Sequence, residues 1–383
     1  MDKIFSKRVF IFLFATFFII TLFSYGNCQP KVSKDTIPQD TSGPIRQQIE
    51  KLYSPKTLDR IEGAIALGKM GRKAAPAVPF LISLFEDSES VWLPTERHFT
   101  SPGKEAAKAV VKTKDLGAVS LLTAALKNQN AEGKERAAEV LGDLKDHQAV
   151  PALIQALKDP NPEVREAALE TLGKLKDLQA VDPVIASLKD SSPEVREQAI
   201  ETLTNFKDSR AVPALISILT DKNAEVREKA VEALSELKDP RAVTPLQASL
   251  KDNSAEVRKK AVEALAKFKD PQSVLAVINT LKDTDLDVRF ESIKTLGEIR
   301  DARAIPALIP LLKDNLKKIR QEAQSSLRKF EEQAVDPLIK ALQDESLRIR
   351  SGAAKILKDI TGKKYGENHQ KWSEWWEKSK KVQ

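Results

Sequence analysis

The chain has 383 residues, a formal net charge of +7 and only 5% aromatic residues. Length alone favours two or three globular domains, but so few aromatics leave any core to Ala, Leu, Val and Ile, the side chains of thin helical layers. The charge is concentrated at the ends: residues 1–28 carry +2 (Lys3, Lys7 and Arg8 against Asp2) and residues 361–383 carry +3 (six Lys against three Glu). Subtracting both from +7 leaves +2 for residues 29–360. A body so near neutrality has no basic groove by composition, so no nucleic-acid partner is expected.

The N-terminal elements come first. Lys3, Lys7 and Arg8 precede an apolar run from Val9 to Phe23, too short to span a bilayer comfortably and suited to a signal-peptide core. Residues 1–28 are therefore expected to be an export signal, which would make the chain periplasmic or membrane-anchored. Its single cysteine, Cys28, lies just beyond. That placement resembles the lipidated cysteine of bacterial lipoproteins, although Tyr25 and Asn27 depart from the residues that motif prefers. Lipidation of Cys28, plain secretion and an uncleaved anchor are all open at this stage. One cysteine excludes an intrachain disulfide. Residues 29–43 (QPKVSKDTIPQDTSG) are polar and lack apolar periodicity, which predicts a flexible linker.

From 44 to 364 one phrase returns about every 31 residues. It reads Ala149-Val150-Pro151-Ala152-Leu153-Ile154, then Asp159, Glu163-Val164-Arg165 and Leu172, and restarts at Ala180, Ala211, Ala242, Ser273, Ala304 and Ala334. Self-similarity at this period means stacked units that bury their apolar faces on one another. Each unit predicts two helices. The first begins near Pro151, where a first-turn proline costs no hydrogen bond, and Leu153, Ile154 and Leu157 share one face. Two prolines in Lys158–Pro162 break it. The second begins at Pro162-Glu163, with a carboxylate at the positive helix end, and buries Val164, Ala168, Leu172 and Leu175. The expected fold is all-α, a right-handed α-α superhelix of about ten two-helix repeats, interrupted in the second repeat by an insertion near 88–99.

Seven units carry Asp and Arg six residues apart: Asp159/Arg165, Asp190/Arg196, Asp221/Arg227, Asp252/Arg258, Asp283/Arg289, Asp314/Arg320 and Asp344/Arg350. On these residues the chain resembles the bacterial HEAT-like repeats, of the type also found in phycobilisome lyase subunits. The resemblance implies a HEAT-like solenoid with its second helices on the concave side. The ladder itself invites no catalysis. Arg does not deprotonate, and an Asp beside it is held ionised. A structural role is expected, with each Arg satisfying turn carbonyls and Asp groups and linking adjacent units.

Three features depart from the repeat. The polar face of the second helices reads Glu135, Glu166, Glu197, Glu228 at one position and Glu139, Glu170, Glu201, Glu232 at another, before turning basic or neutral from Lys259 onward. It is either a solvated face or an acidic groove for a protein partner with a basic segment, whose field would repel phosphates. The insertion holds Trp92, Arg97, His98 and Phe99, which either bind a partner or fold back over the early units. Trp372, Trp375 and Trp376 within residues 365–383 share one face of a short helix. They look like a tail that recurs in bacterial HEAT-like proteins, and either cap the last unit or bind.

No catalytic, metal or cofactor residues are expected. His98, His147 and His369 lie in different units without an adjacent Glu, Cys28 lies in the leader, and no phosphate loop occurs. The expectation is a non-catalytic protein-interaction scaffold or adaptor at the bacterial cell envelope. The alternative is a lyase- or chaperone-like accessory factor handling a pigment or cofactor.

Overall fold

The computed structural model describes residues 30–94 and 97–380. The expected export signal and Cys28 lie outside the described residues. Within them the fold is all-α apart from one small hairpin, as the sequence predicts. The chain divides into two compact units, Met1–Val184 and Ile185–Gln383.

The first unit holds α1 (Gly43–Lys51) with α2 (Thr57–Met70), α3 (Val78–Ser83) with α4 (Pro102–Thr113), α5 (Ala118–Asn128) with α6 (Ala131–Leu144), and α7 (Val150–Ala156) with α8 (Pro162–Leu175). Helix α9 (Val181–Ser187) contains the division. The second unit continues with α10 (Pro193–Phe206), α11 (Val212–Ile218), α12 (Ala224–Leu237), α13 (Val243–Ser249), α14 (Ala255–Phe268), α15 (Val274–Thr280), α16 (Leu286–Ile299), α17 (Ile305–Leu308), α18 (Lys317–Arg328), α19 (Val335–Ala341), α20 (Leu347–Thr361) and α21 (His369–Lys380).

One repeat shows why the phrase folds this way. A 3-10 turn, His147–Ala149, leads into α7, whose Pro151 sits in the first turn. Asn161 ends the break by accepting from the Glu163 and Val164 amides, capping α8. The stripe is buried as expected: Val164, Ala168 and Leu172 are fully covered and Leu175 nearly so. The helix ends at Lys176, which adopts the left-handed conformation. Asp177 then accepts from the Gln179 amide at 3.0 Å and starts the next turn.

That ending recurs. Lys114, Lys145, Lys176, Lys207, Lys238, Lys269 and Arg300 all have φ between 49° and 58° where glycine is the usual residue. Each left-handed non-glycine costs roughly 1 kcal/mol. Close packing between second helices makes the opposite demand at Gly297, where a Cβ would lie 2.6 Å from Ser326 Cβ and 2.8 Å from its Cα.

Two expectations change. The segment 29–43 does not behave as a free linker among its described residues. Pro30, Ile37 and Thr41 are buried. Lys31 pairs with Glu86 at 2.6 Å, Arg46 donates to the Pro38 carbonyl at 2.9 Å, and the Tyr53 hydroxyl donates to the Val32 carbonyl. A few anchoring side chains hold a segment whose average composition is polar. The insertion, in turn, forms an antiparallel hairpin, β1 (Val91–Leu93) and β2 (His98–Thr100), with Trp92 opposite Phe99.

Candidate partner-binding faces

The Asp/Arg ladder joins repeats, with a geometry that spacing alone does not reveal. Within a repeat, Arg takes the main-chain carbonyl of its Asp: Arg227 Nη1 donates to Asp221 O at 2.8 Å, Arg258 to Asp252 O at 2.9 Å and Arg289 to Asp283 O at 2.7 Å. The carboxylate belongs to the preceding repeat's Arg. Arg196 meets Asp221 at 2.7 Å, Arg227 meets Asp252 through two bonds of 2.7 Å, and Arg258 meets Asp283 likewise. The same carboxylates accept turn amides, as Asp221 does from Asn223 at 2.8 Å.

Arg320 and Arg350 grip the carbonyls of Asp314 and Asp344, while Arg350 also reaches Glu367 at 3.0 Å. In the first unit Arg165 bonds the Asp159 carbonyl at 2.8 Å, and Lys134 pairs with Asp159 at 2.7 Å in place of an Arg. Arg196 likewise bonds the Asp190 carbonyl at 2.9 Å.

Sequence reasoning missed a further rung, Arg60 with Asp87 at 2.7 Å, because the insertion follows directly. Arg60 also donates to the Ser54 carbonyl at 3.0 Å, six residues back, which is the offset that could have revealed it.

Burial pushes the Asp221 and Asp252 carboxyls up, but bonds from Arg196 and Arg227 and from turn amides outweigh it and leave both below their ordinary value. Asp283 is lowered chiefly by its Arg258 bond. Asp87 goes the other way, because its deeper burial outweighs Arg60.

The acidic face is less uniform than the sequence suggests. In the second unit Lys260 lies 2.6 Å from Glu232 and 3.9 Å from Glu228, so part of the face carries its own cation. Glu197 is half-buried and Glu201 exposed. In the first unit Lys174 pairs with the exposed Glu170 at 2.9 Å, and Glu166 is half-buried. Glu135 and Glu139 stand apart.

These two line a groove of about 450 Å³ between α4 and α6, together with Asp143 and facing Lys104, Lys108 and Lys112. Glu135 Oε1 is buried without a hydrogen-bond partner. Burial, then neighbouring carboxylates, push both carboxyls up: Glu163 and Glu132 act on Glu135, and Glu170 acts on Glu139. The lysine wall was not anticipated, because α4 follows the insertion and falls outside the clearest repeats. Burial also raises Glu197 and Glu228, again helped by nearby glutamates.

Trp92 and Phe99 project from one face of the hairpin, 46% and 65% exposed, with ring centroids 5.1 Å apart. Trp92 therefore does not fold back over the early repeats. Leu93 and Thr100 are buried on the other face, His98 is half-buried, and Arg97 is an exposed turn residue with φ 56°.

At the C-terminus Trp372 is fully buried, donates to the Gly366 carbonyl at 2.9 Å and meets Tyr365 and Trp375 edge-on. Trp375 and Trp376 are half-buried, and Lys380 ties α21 to Asp336 of α19 at 3.0 Å. This is the geometry of a cap.

His147 pairs with Asp177 at 3.0 Å. Among the described residues no group of three His, Cys, Asp or Glu is placed to hold a metal ion, and no helix is long and apolar enough to cross a membrane.

Paired helices repeated in register, stapled by a side-chain ladder, define a protein built from stacked helical repeats. The family model of HEAT repeats matches residues 118–191, 181–256 and 245–328, more than half of the chain, and the chain belongs to that family. Among curated proteins no significant sequence match is found.

Solved structures are similar in fold. Importin β shares 14% identity over 82% of this chain and 50% of its own, with a TM-score of 0.53. An engineered protein shares 20% identity over 83% of this chain and 99% of its own, with a TM-score of 0.43. The complex of CpcE and CpcF of phycocyanin lyase from Nostoc sp. PCC7120 shares 24% identity over 63% and 94%, with a TM-score of 0.36.

Proposed function

We propose that the chain is a non-catalytic protein-interaction scaffold held at a bacterial cell envelope, exported by residues 1–28 and anchored through a lipid on Cys28. The leader's charge and apolar length support export, and the position of Cys28 supports the anchor. The partner is a protein presenting a basic segment. One observation carries this reading: Glu135 and Glu139 are desolvated and crowded by other carboxylates, and one Glu135 oxygen is buried without a hydrogen bond. An incoming ammonium or guanidinium group would supply the missing donor and relieve the repulsion. The opposite wall of lysines selects against a uniformly cationic ligand and favours a segment that alternates basic and acidic groups.

The test is fluorescence anisotropy of a labelled peptide of alternating Lys and Glu on the full-length protein. Glu135→Gln with Glu139→Gln should weaken binding at least tenfold and flatten its salt dependence. Equal affinity in the variant would remove this groove from the function. Mass spectrometry of the purified protein, compared with Cys28→Ser, tests the anchor.

A further inference from the structure

The hairpin and the anchoring cysteine are tied to the same place. Lys31 is fixed by its 2.6 Å ion pair to Glu86, and Val32 by the Tyr53 hydroxyl. Cys28 lies three residues before Lys31, so the chain lets it stray at most about 11 Å from that point. The hairpin begins at Val91, five residues beyond Glu86, which is at most about 18 Å of chain. A membrane that holds Cys28 thus comes within a few tens of ångströms of the hairpin, by chain length alone.

The hairpin's outward face is suited to that position. Trp92 and Phe99 form an edge-on pair, 46% and 65% exposed. Thr57 donates to Glu89 at 2.5 Å near the start of the hairpin, and its neighbour Leu58 is 44% exposed. Rings of this kind partition into the interfacial zone of a bilayer, between headgroups and hydrocarbon. The inner face is locked to the protein through buried Leu93 and Thr100, with the Thr100 hydroxyl donating to Glu105 at 2.7 Å.

Resting on the anchor reading above, we propose that the Trp92/Phe99 face of the hairpin seats in the interfacial zone of the membrane that holds Cys28. The occupant of this face is a lipid surface. The lipid on Cys28 sets the distance of the first repeats from the membrane, and the aromatic pair sets which side of them faces it. The attraction is apolar, so it persists with uncharged lipid and in high salt.

The full-length protein is purified in its native form and bound to phosphatidylcholine vesicles with and without brominated acyl chains in roughly 0.5 M salt, where the Debye length is only about 4 Å. Tryptophan quenching is compared between the wild type and Trp92→Phe, and intact mass reports the state of Cys28. The other three tryptophans lie in α21 and are common to both proteins. We expect wild-type quenching at least twofold that of Trp92→Phe, and a reduction in Phe99→Ser as well. Equal quenching in wild type and Trp92→Phe overturns the proposal, and is the outcome a protein partner on this face would give. An unmodified Cys28 with quenching that still follows Trp92 sinks the anchor and leaves the membrane face standing.

Discussion

The Arg227 guanidinium spans two repeats, giving Nε and Nη2 to both oxygens of Asp252 at 2.7 Å while Nη1 holds the carbonyl of Asp221. Each interior rung of this kind is a covalent step of 25 residues closed by hydrogen bonds, and its removal should be felt locally.

Arg227→Ala should cost about 1–3 kcal/mol, since it strands a largely buried carboxylate and a turn carbonyl. Arg227→Lys should recover only part, because an ammonium cannot make the two-bond fork. Urea melts of both variants check this, with peptide binding at Glu135 unchanged well below the transition. An unaltered midpoint for Arg227→Ala would remove the ladder from the stability account.

Acid should act in two opposed ways. Asp221, Asp252 and Asp283 are lowered in the fold, so their stabilisation is complete above the ordinary value of 3.8 and is lost as pH falls through their folded values. Glu135, Glu139, Glu197 and Glu228 are raised, so they oppose folding when ionised, and that opposition is relieved as pH falls from neutrality toward their ordinary 4.5. Thermal melts should therefore show greatest stability on the mildly acidic side of neutrality and a fall below about pH 4. A melting temperature that declines steadily from pH 7 downward would contradict this.

The same glutamates predict a trade between stability and binding. Glu135→Gln removes a desolvated charge and should raise the melting temperature while weakening the basic segment. Loss of both stability and binding would instead mark Glu135 as structural.

The helix ends offer a gain. Lys207 holds φ 54°, and Lys207→Gly should stabilise by about 0.5 kcal/mol, the relief of left-handed strain less the added freedom of the unfolded chain. Destabilisation on calorimetry would show that the lysine side chain contributes more than its backbone costs.

The cap can be tested by one residue. Trp372 is fully buried against Tyr365 and Trp375, so Trp372→Ala should cost about 3–5 kcal/mol within the C-terminal repeats. Hydrogen exchange should rise in α19 to α21 first, as neighbour-by-neighbour stability requires. Deleting 365–383 should lower solubility or melting temperature.

Helices, their ends and the buried stripe were legible because the 31-residue period repeats them with the same side chains in the same places. The partner of Asp252 was not, since a spacing of six to Arg258 and of 25 from Arg227 are both constant in a regular repeat, and only geometry separates them. The hairpin escaped because Val91–Leu93 and His98–Thr100 are too short to show alternation. The ordering of 30–42 escaped because it rests on Ile37, Lys31 and a distant tyrosine rather than on composition. The acidic stripe was legible as charge, but the lysines that divide it, Lys260 and the α4 wall, required neighbours in space.

The ladder has one more consequence. Because Arg196, Arg227 and Arg258 each reach forward by the same step to an aspartate in the following turn, the two halves of each of these links are supplied by different copies of one sequence phrase. Copying or excising a whole phrase within 193–283 would regenerate the same handshake at the new junction, whereas a cut of any other length would leave a stranded guanidinium on one side and a stranded carboxylate on the other. Such a gene can grow or shrink only in whole words.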